Sequence, residues 1–133
     1  MEGQGIISGE SKGTLETLVR DPASAARYKH LGGPNKRVVR DDVWITYNGN
    51  KGDLTVGGYA AKGCIGPELG FGWAVGDYLD NQVLLIKFGV GGTSLAQNWR
   101  PPSSGGKVGE WYSNMINGVQ GGMEQGREPS AKR

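Results

Sequence analysis

The segment best suited to chemistry is Gly89-Val90-Gly91-Gly92-Thr93-Ser94. Glycines in succession let neighbouring backbone amides converge on one point, which seats an anion or the oxyanion of an acyl-transfer intermediate. The same glycines also suit an ordinary tight turn, where they serve only for their freedom at positive φ. Ser94 opens a third possibility. Gly89-x-Gly91-x-x-Ser94 is one residue away from the dinucleotide fingerprint, which places a pyrophosphate at the start of a long helix. Pro101-Pro102 arrives too soon for that helix, and no lysine follows the glycines as in a Walker loop. A nucleotide-binding α/β chain using this loop is kept as an alternative.

Other reactive side chains are sparse. The chain has one histidine, His30, and one cysteine, Cys64, so an internal disulfide is excluded. A zinc site would need both plus carboxylates, and no metal is expected. Cys64, within Gly63-Cys64-Ile65-Gly66, reads as a small buried hydrophobe rather than a nucleophile. His30 falls in the last turn of a short helix, where a partial positive charge is favourable. Glu68 falls in the first turn of another, so helix initiation and packing suit it better than a role as catalytic acid. Trp44, Trp73, Trp99 and Trp111 in a glycine-rich chain raise a second alternative, a noncatalytic carbohydrate-binding module. That alternative predicts a mostly β fold, which the helical segments below oppose.

Fifteen basic and thirteen acidic residues give a net charge of +2, with the signs interspersed. The local excess at Arg127, Lys132 and Arg133 suits a solvated tail, so no nucleic-acid partner is expected. The longest apolar run, Val83-Leu84-Leu85-Ile86, falls far short of the roughly 20 residues that cross a bilayer, so no membrane insertion is expected. Met1-Glu2-Gly3-Gln4-Gly5 has neither the basic nor the apolar part of a signal peptide.

These residues must be held by a small core. Glycine fills 25 of 133 positions, against a usual share of roughly 7 per cent, so much of the chain has no side chain to bury. The length suits one domain and leaves no room for a second. Asp21-Pro22 and Gly32-Gly33-Pro34 write the two ends of a short helix. Val43, Ile45 and Tyr47 share one face at period two and predict a strand, closed by a loop over residues 48–53. A helix is predicted from Pro67 to about Leu79, although Gly70, Gly72 and Gly76 each cost it about 1 kcal/mol relative to alanine. Gly72 and Gly76 lie one turn apart and leave a strip on which another backbone can lie closely. Val83 to Lys87, unalternating and bounded by turn signals, predicts a strand buried on both faces of a parallel sheet. The glycine loop then follows its carboxyl end, the edge where such sheets bind ligands. Residues 100–106 must be loop, and a last helix is expected from about Gly109 to Val119. It carries Tyr112, Met115, Ile116 and Val119 on one face as ordinary core. From residue 121 to 133 the chain is polar and expected to be disordered.

Several stretches in order along the chain resemble the sialate O-acetylesterase-like carbohydrate esterases of the SGNH hydrolase superfamily. They are Asp42-Val43-Trp44-Ile45, Ile65-Gly66-Pro67-Glu68-Leu69-Gly70-Phe71-Gly72, Val83 to Lys87 with Gly91-Gly92-Thr93-Ser94-Leu95, and Arg100-Pro101-Pro102-Ser103-Ser104-Gly105-Gly106. The resemblance implies an α/β fold, three-layer and flavodoxin-like, spanning residues 1–120 as a partial esterase domain. It implies a serine nucleophile in a Gly-Gln-Ser-Asn-Met segment, of which Met1 looks like the methionine. That places the serine just before Met1, after a first strand lying between the strands at Val43–Tyr47 and Val83–Lys87. The family's Asp-x-x-His and its Gln-Gly-Glu or Asn block have no counterpart before Arg133. On this resemblance the chain is a fragment, inactive alone, of an enzyme that removes O-acetyl groups from a sugar or polysaccharide without any cofactor. Gly91 and Gly92 resemble the oxyanion donors, and Thr93 and Arg100 border the substrate mouth, although Arg100 could equally anchor the proline loop. A secreted or periplasmic location is implied as well.

Overall fold

Alternation of Val43, Ile45 and Tyr47 with Trp44 and Thr46 builds the centre of the fold, as the period of two predicts. These three side chains are buried and the intervening ones only half-buried. The computed structural model describes residues 3–33 and 36–126. Met1 and Glu2, on which the nucleophile segment was placed, lie outside them, as do Pro34 and the basic residues Arg127, Lys132 and Arg133.

The protein is a mixed α/β chain of short strands and helices. It begins with β1 (Gly5–Ile6), α1 (Leu15–Arg20) and α2 (Ala25–Tyr28), the last extended by a 3-10 turn at Lys29–Leu31. Strands β2 (Gly32–Gly33), β3 (Lys36–Arg37), β4 (Val39–Tyr47), β5 (Asn50–Thr55) and β6 (Cys64–Ile65) follow. Next come α3 (Pro67–Tyr78) and β7 (Val83–Ile86), and after a long irregular stretch α4 (Glu110–Gly126). The chain divides into two compact units, Met1–Lys87 and Phe88–Arg133.

In the first unit the main sheet has the order β5-β4-β7. β4 and β7 run parallel, Val43 opposite Val83 and Thr46 opposite Ile86, and the Lys87 amide continues the ladder to the Thr46 carbonyl at 2.9 Å. The parallel pairing expected of the Val83 run is therefore present. Its placement differs in two respects. β7 is an edge strand, so Leu84, Leu85 and Ile86 are half-buried instead of enclosed on both faces. And β4 pairs with β7 directly, with no intervening strand; exposed backbone donors and acceptors pair with the nearest strand that offers a register.

Residues 48–53 are not a loop. Asn48 (φ 49°) and Gly49 (φ 81°) both adopt positive φ and make a two-residue turn whose twist matches a hairpin. β5 therefore returns antiparallel along β4 and buries Leu54 completely. The short helix also starts later than its sequence caps suggest. The Asp21 carboxylate accepts from the Ala23 amide, but Asp21 also closes α1, its own amide donating to the Thr17 carbonyl. α2 consequently begins only at Ala25, while Gly32 (φ 82°) ends the segment as predicted. The unpredicted α1 is capped by Thr14, whose hydroxyl accepts from the Thr17 amide at 3.2 Å.

α3 begins at Pro67, as expected, and lies on the sheet through Gly72 and Gly76. A Cβ at Gly72 would come within 2.3 Å of Leu54 Cδ2 and 2.9 Å of Leu85 Cδ1, and one at Gly76 within 2.7 Å of Val43 Cγ2. The strip thus does admit close approach, though the approaching groups are side chains of the sheet and not a backbone. Arg40 fastens the same helix. Its guanidinium pairs with Asp42 and Asp77, donates to the Trp73 carbonyl at 3.2 Å, and sits 5.7 Å from the Trp73 ring centre. Hydrogen bonding to Asp42 raises the Arg40 pKa further, and in return holds the Asp42 carboxyl below its usual range.

In the second unit α4 runs beyond Val119 through Gly121 and Gly122 to Gly126, so that part of the expected disordered tail is helical. The face expected as core is only half-buried, with Ile116 40 % exposed. Packing uses instead Trp111 and Gly118, seven positions apart; a Cβ at Gly118 would lie 2.6 Å from the Phe88 ring.

Candidate functional site

The glycine loop belongs to the second unit, following β7 in sequence. Its carboxyl side is a knot of polar contacts around Trp99. The indole Nε1 donates to Thr93 Oγ1 at 2.7 Å, and that hydroxyl donates to the Val90 carbonyl at 2.8 Å. Asn98 closes the turn from the other end: its Oδ1 accepts from the Ser94 amide at 2.9 Å while its own amide donates to the Ser94 carbonyl. Trp99 is itself clamped, edge-on to Phe88 with ring centres 6.0 Å apart and stacked on Trp111 at 6.4 Å. A loop poor in side chains is thus held by neighbours that have large ones.

Within this frame Gly91 and Gly92 are exposed, and Gly92 takes φ 70° with open space where a Cβ would stand. Among the described residues the amides of Gly91 and Gly92 meet no acceptor from the protein. Neighbouring donors left to solvent in a braced turn are one condition of an oxyanion seat. They are also compatible with a plain turn, which solvent would satisfy equally well.

Thr93 is half-buried and both capacities of its hydroxyl are engaged, so it braces the loop from inside. Arg100 anchors the proline loop. Its Nε donates to the Gly105 carbonyl, and its terminal nitrogens donate to the carbonyls of Ser104 at 2.9 Å and Ala96 at 3.3 Å. It also borders an open cleft of about 550 Å³, so anchoring and bordering are not exclusive. Gly109 allows α4 to start against this loop: its amide donates to the Arg100 carbonyl, and a Cβ there would lie 2.3 Å from the Asn98 carbonyl oxygen.

The remaining candidates fall in the first unit. His30 is exposed, its ring 5.9 Å from that of Trp73, and no serine or cysteine among the described residues is hydrogen-bonded to it. Cys64 is half-buried in β6. Among the described residues no group of three or more His, Cys, Asp or Glu side chains is placed to hold a metal ion. No helix among them is long and apolar enough to cross a membrane.

Glu68 does start α3, its Oε1 accepting from the Gly66 amide at 2.8 Å. Its second oxygen has a partner that sequence reasoning missed. Lys87 reaches Glu68 Oε2 at 2.7 Å, with both side chains 8 % exposed. The ammonium also donates to the Tyr59 carbonyl and lies 4.5 Å from the Tyr47 ring centre. Nearby, burial and the charge of Asp53 push the Tyr59 phenol pKa up. The available signal was Lys87 itself, a charge closing an otherwise apolar strand, which burial obliges to find a partner.

Two geometric conditions bear on the alternatives. The dinucleotide fingerprint needs a helix directly after its glycines, whereas the next α-helix begins only at Glu110. A tryptophan platform needs an open ring face, whereas Trp73 is buried and Trp99 and Trp111 stack on each other. No family model, no curated protein and no solved structure matches the chain.

Proposed function

We propose that Gly91 and Gly92 supply oxyanion-stabilising amides to a serine esterase that removes O-acetyl groups from carbohydrate. In this reading the chain is part of a three-layer, flavodoxin-like SGNH hydrolase of the sialate O-acetylesterase-like kind. The observation that carries it is the pair of adjacent glycine amides without an internal acceptor, in a turn braced by Thr93, Asn98 and Trp99. The motifs of the sequence resemblance support it further.

The chemistry would be acyl transfer. A serine attacks the acetyl carbonyl carbon, a histidine takes the serine proton, and the two amides hold the tetrahedral oxyanion. The alcohol leaves with a proton returned by the histidine, and water then releases acetate by the same route. Gly91 and Gly92 would act only once negative charge has developed, which is why their contribution falls on kcat. On the resemblance, the serine and the Asp–His pair of this scheme are assigned outside residues 1–133.

The test is a transplant. Residues 83–106 replace the corresponding strand and glycine loop of an active sialate O-acetylesterase-like enzyme, which supplies the nucleophile and base. Turnover of an acetyl ester within about tenfold of the parent is expected. A folded chimera without activity would contradict the proposal.

A further inference from the structure

The cleft beside Arg100 lies wholly within the second unit and has no role in the acyl-transfer scheme. Its volume of about 550 Å³ sits inside the range of roughly 300–1,000 Å³ that ligand sites occupy. Gln97, Asn98, Arg100, Gly106, Lys107 and Glu110 contribute to its walls.

Part of this wall is rigid. Asn98 is tied through its side chain to Ser94, and its carbonyl accepts from the Trp111 amide at 2.9 Å. The Arg100 guanidinium is fixed by three carbonyls, which leaves two of its five N–H groups unassigned. Gly106 leaves one side of that guanidinium bare, since a Cβ there would stand 3.5–3.7 Å from its atoms. The rest of the wall offers both donors and acceptors. Among the described residues the side chains of Gln97, Lys107 and Glu110 have no hydrogen-bond or ion-pair partner in the chain.

The combination selects a ligand chemistry. A carboxylate, though drawn by Arg100 and Lys107, has no donor to offer Glu110 or the Gln97 side-chain carbonyl. An ammonium would be repelled by Arg100 and Lys107. Hydroxyl groups both donate and accept, so a neutral polyol can satisfy an amide, a guanidinium, an ammonium and a carboxylate together. We infer that this cleft is a subsite for a neutral glycosyl unit, adjoining the acetylated one in an oligosaccharide chain. The inference rests on the esterase reading for that adjoining unit, while its binding chemistry stands on the cleft alone.

Binding without turnover separates the two. The 133-residue protein is screened on an array of neutral and acidic oligosaccharides and their monosaccharides, and the best neutral binder is titrated against 15N-labelled protein. Saturable binding is expected, with shifts at Gln97, Lys107, Glu110 and the Arg100 Nε–H. Gln97→Ala and Glu110→Gln should each weaken it about tenfold, the scale of one lost hydrogen bond to or near a charged group. The titration reads binding and not turnover, so a failed oxyanion role would not disturb this result. Three outcomes overturn the inference: no neutral glycan binds; only anionic glycans or inorganic phosphate bind, with an affinity abolished by salt; or both substitutions leave the affinity intact while circular dichroism shows the fold preserved.

Discussion

At the scale of single residues, two charge clusters in the first unit show how differently exposure sets energetic weight. Lys87 and Glu68 are buried together, so removing one partner strands the other in a poor solvent for charge. Lys87→Met alone should cost about 3–5 kcal/mol of unfolding free energy. The double variant Glu68→Gln/Lys87→Met should recover a good part of this, as chemical denaturation would measure. A double variant as unstable as the single would show that packing, not charge, dominates. Asp42 is half-exposed, and its effect is best seen through pH. Its carboxyl, hydrogen-bonded to Arg40, has a lower pKa folded than unfolded. The stabilisation it contributes is therefore complete above the ordinary carboxylate pKa, about 3.9, and is lost as pH falls through the depressed folded value. Asp42→Asn should accordingly lower Tm at pH 7 and make little difference near pH 2. An equal Tm gap at both pH values would contradict the linkage. The long-range pairs were not legible beforehand: Lys87 lies nineteen positions from Glu68, and Arg40 thirty-seven from Asp77, beyond any local periodicity.

At the scale of elements, glycine decides α3. Gly70 faces open space and Gly72 faces Leu54 and Leu85, although both are poor helix residues. Gly70→Ala should stabilise the protein by up to about 1 kcal/mol through propensity alone. Gly72→Ala should destabilise it, because overpacking of about 1–3 kcal/mol outweighs the same gain. Thermal unfolding of the two variants tests this by sign; a Gly72→Ala protein more stable than the parent would show that α3 can lift off the sheet freely. The segments with strong local signals were legible: the strand through Val43, Ile45 and Tyr47, the Pro67 helix start, and the Gly32 stop. The hairpin at Asn48-Gly49 is hard to read from sequence because its polar and glycine residues suit a loop as well as a two-residue turn at positive φ. α4 outran its expected end because Gly121 and Gly122 weaken a helix without terminating it. For the candidate site, the loop at Gly89 to Ser94 was visible as composition. Its bracing by Trp99 and Asn98 was not, since it depends on a turn that folds back on itself.

At the scale of the whole molecule, the first unit's order centres on β4, which has a paired strand on each side and the fully buried Val43 and Ile45. Its amides over residues 43–46 should therefore be the slowest to exchange with deuterium, ahead of those on edge strand β7. Faster exchange in β4 than in β7 would refute the assigned sheet order. If the nucleophile and base lie outside residues 1–133, as proposed, these residues should not hydrolyse p-nitrophenyl acetate above a protein blank, since loss of both typically costs around six orders of magnitude in kcat. Saturable turnover would instead point to Ser94 or Cys64 as the nucleophile. Whether Gly91 and Gly92 stabilise a developing oxyanion is decided by the kcat of Gly92→Val in the transplanted enzyme. A fall of about 10²–10³ is expected with KM little changed, in a protein of unaltered fold by circular dichroism. An unchanged kcat in that folded variant would contradict it and leave the loop a simple turn.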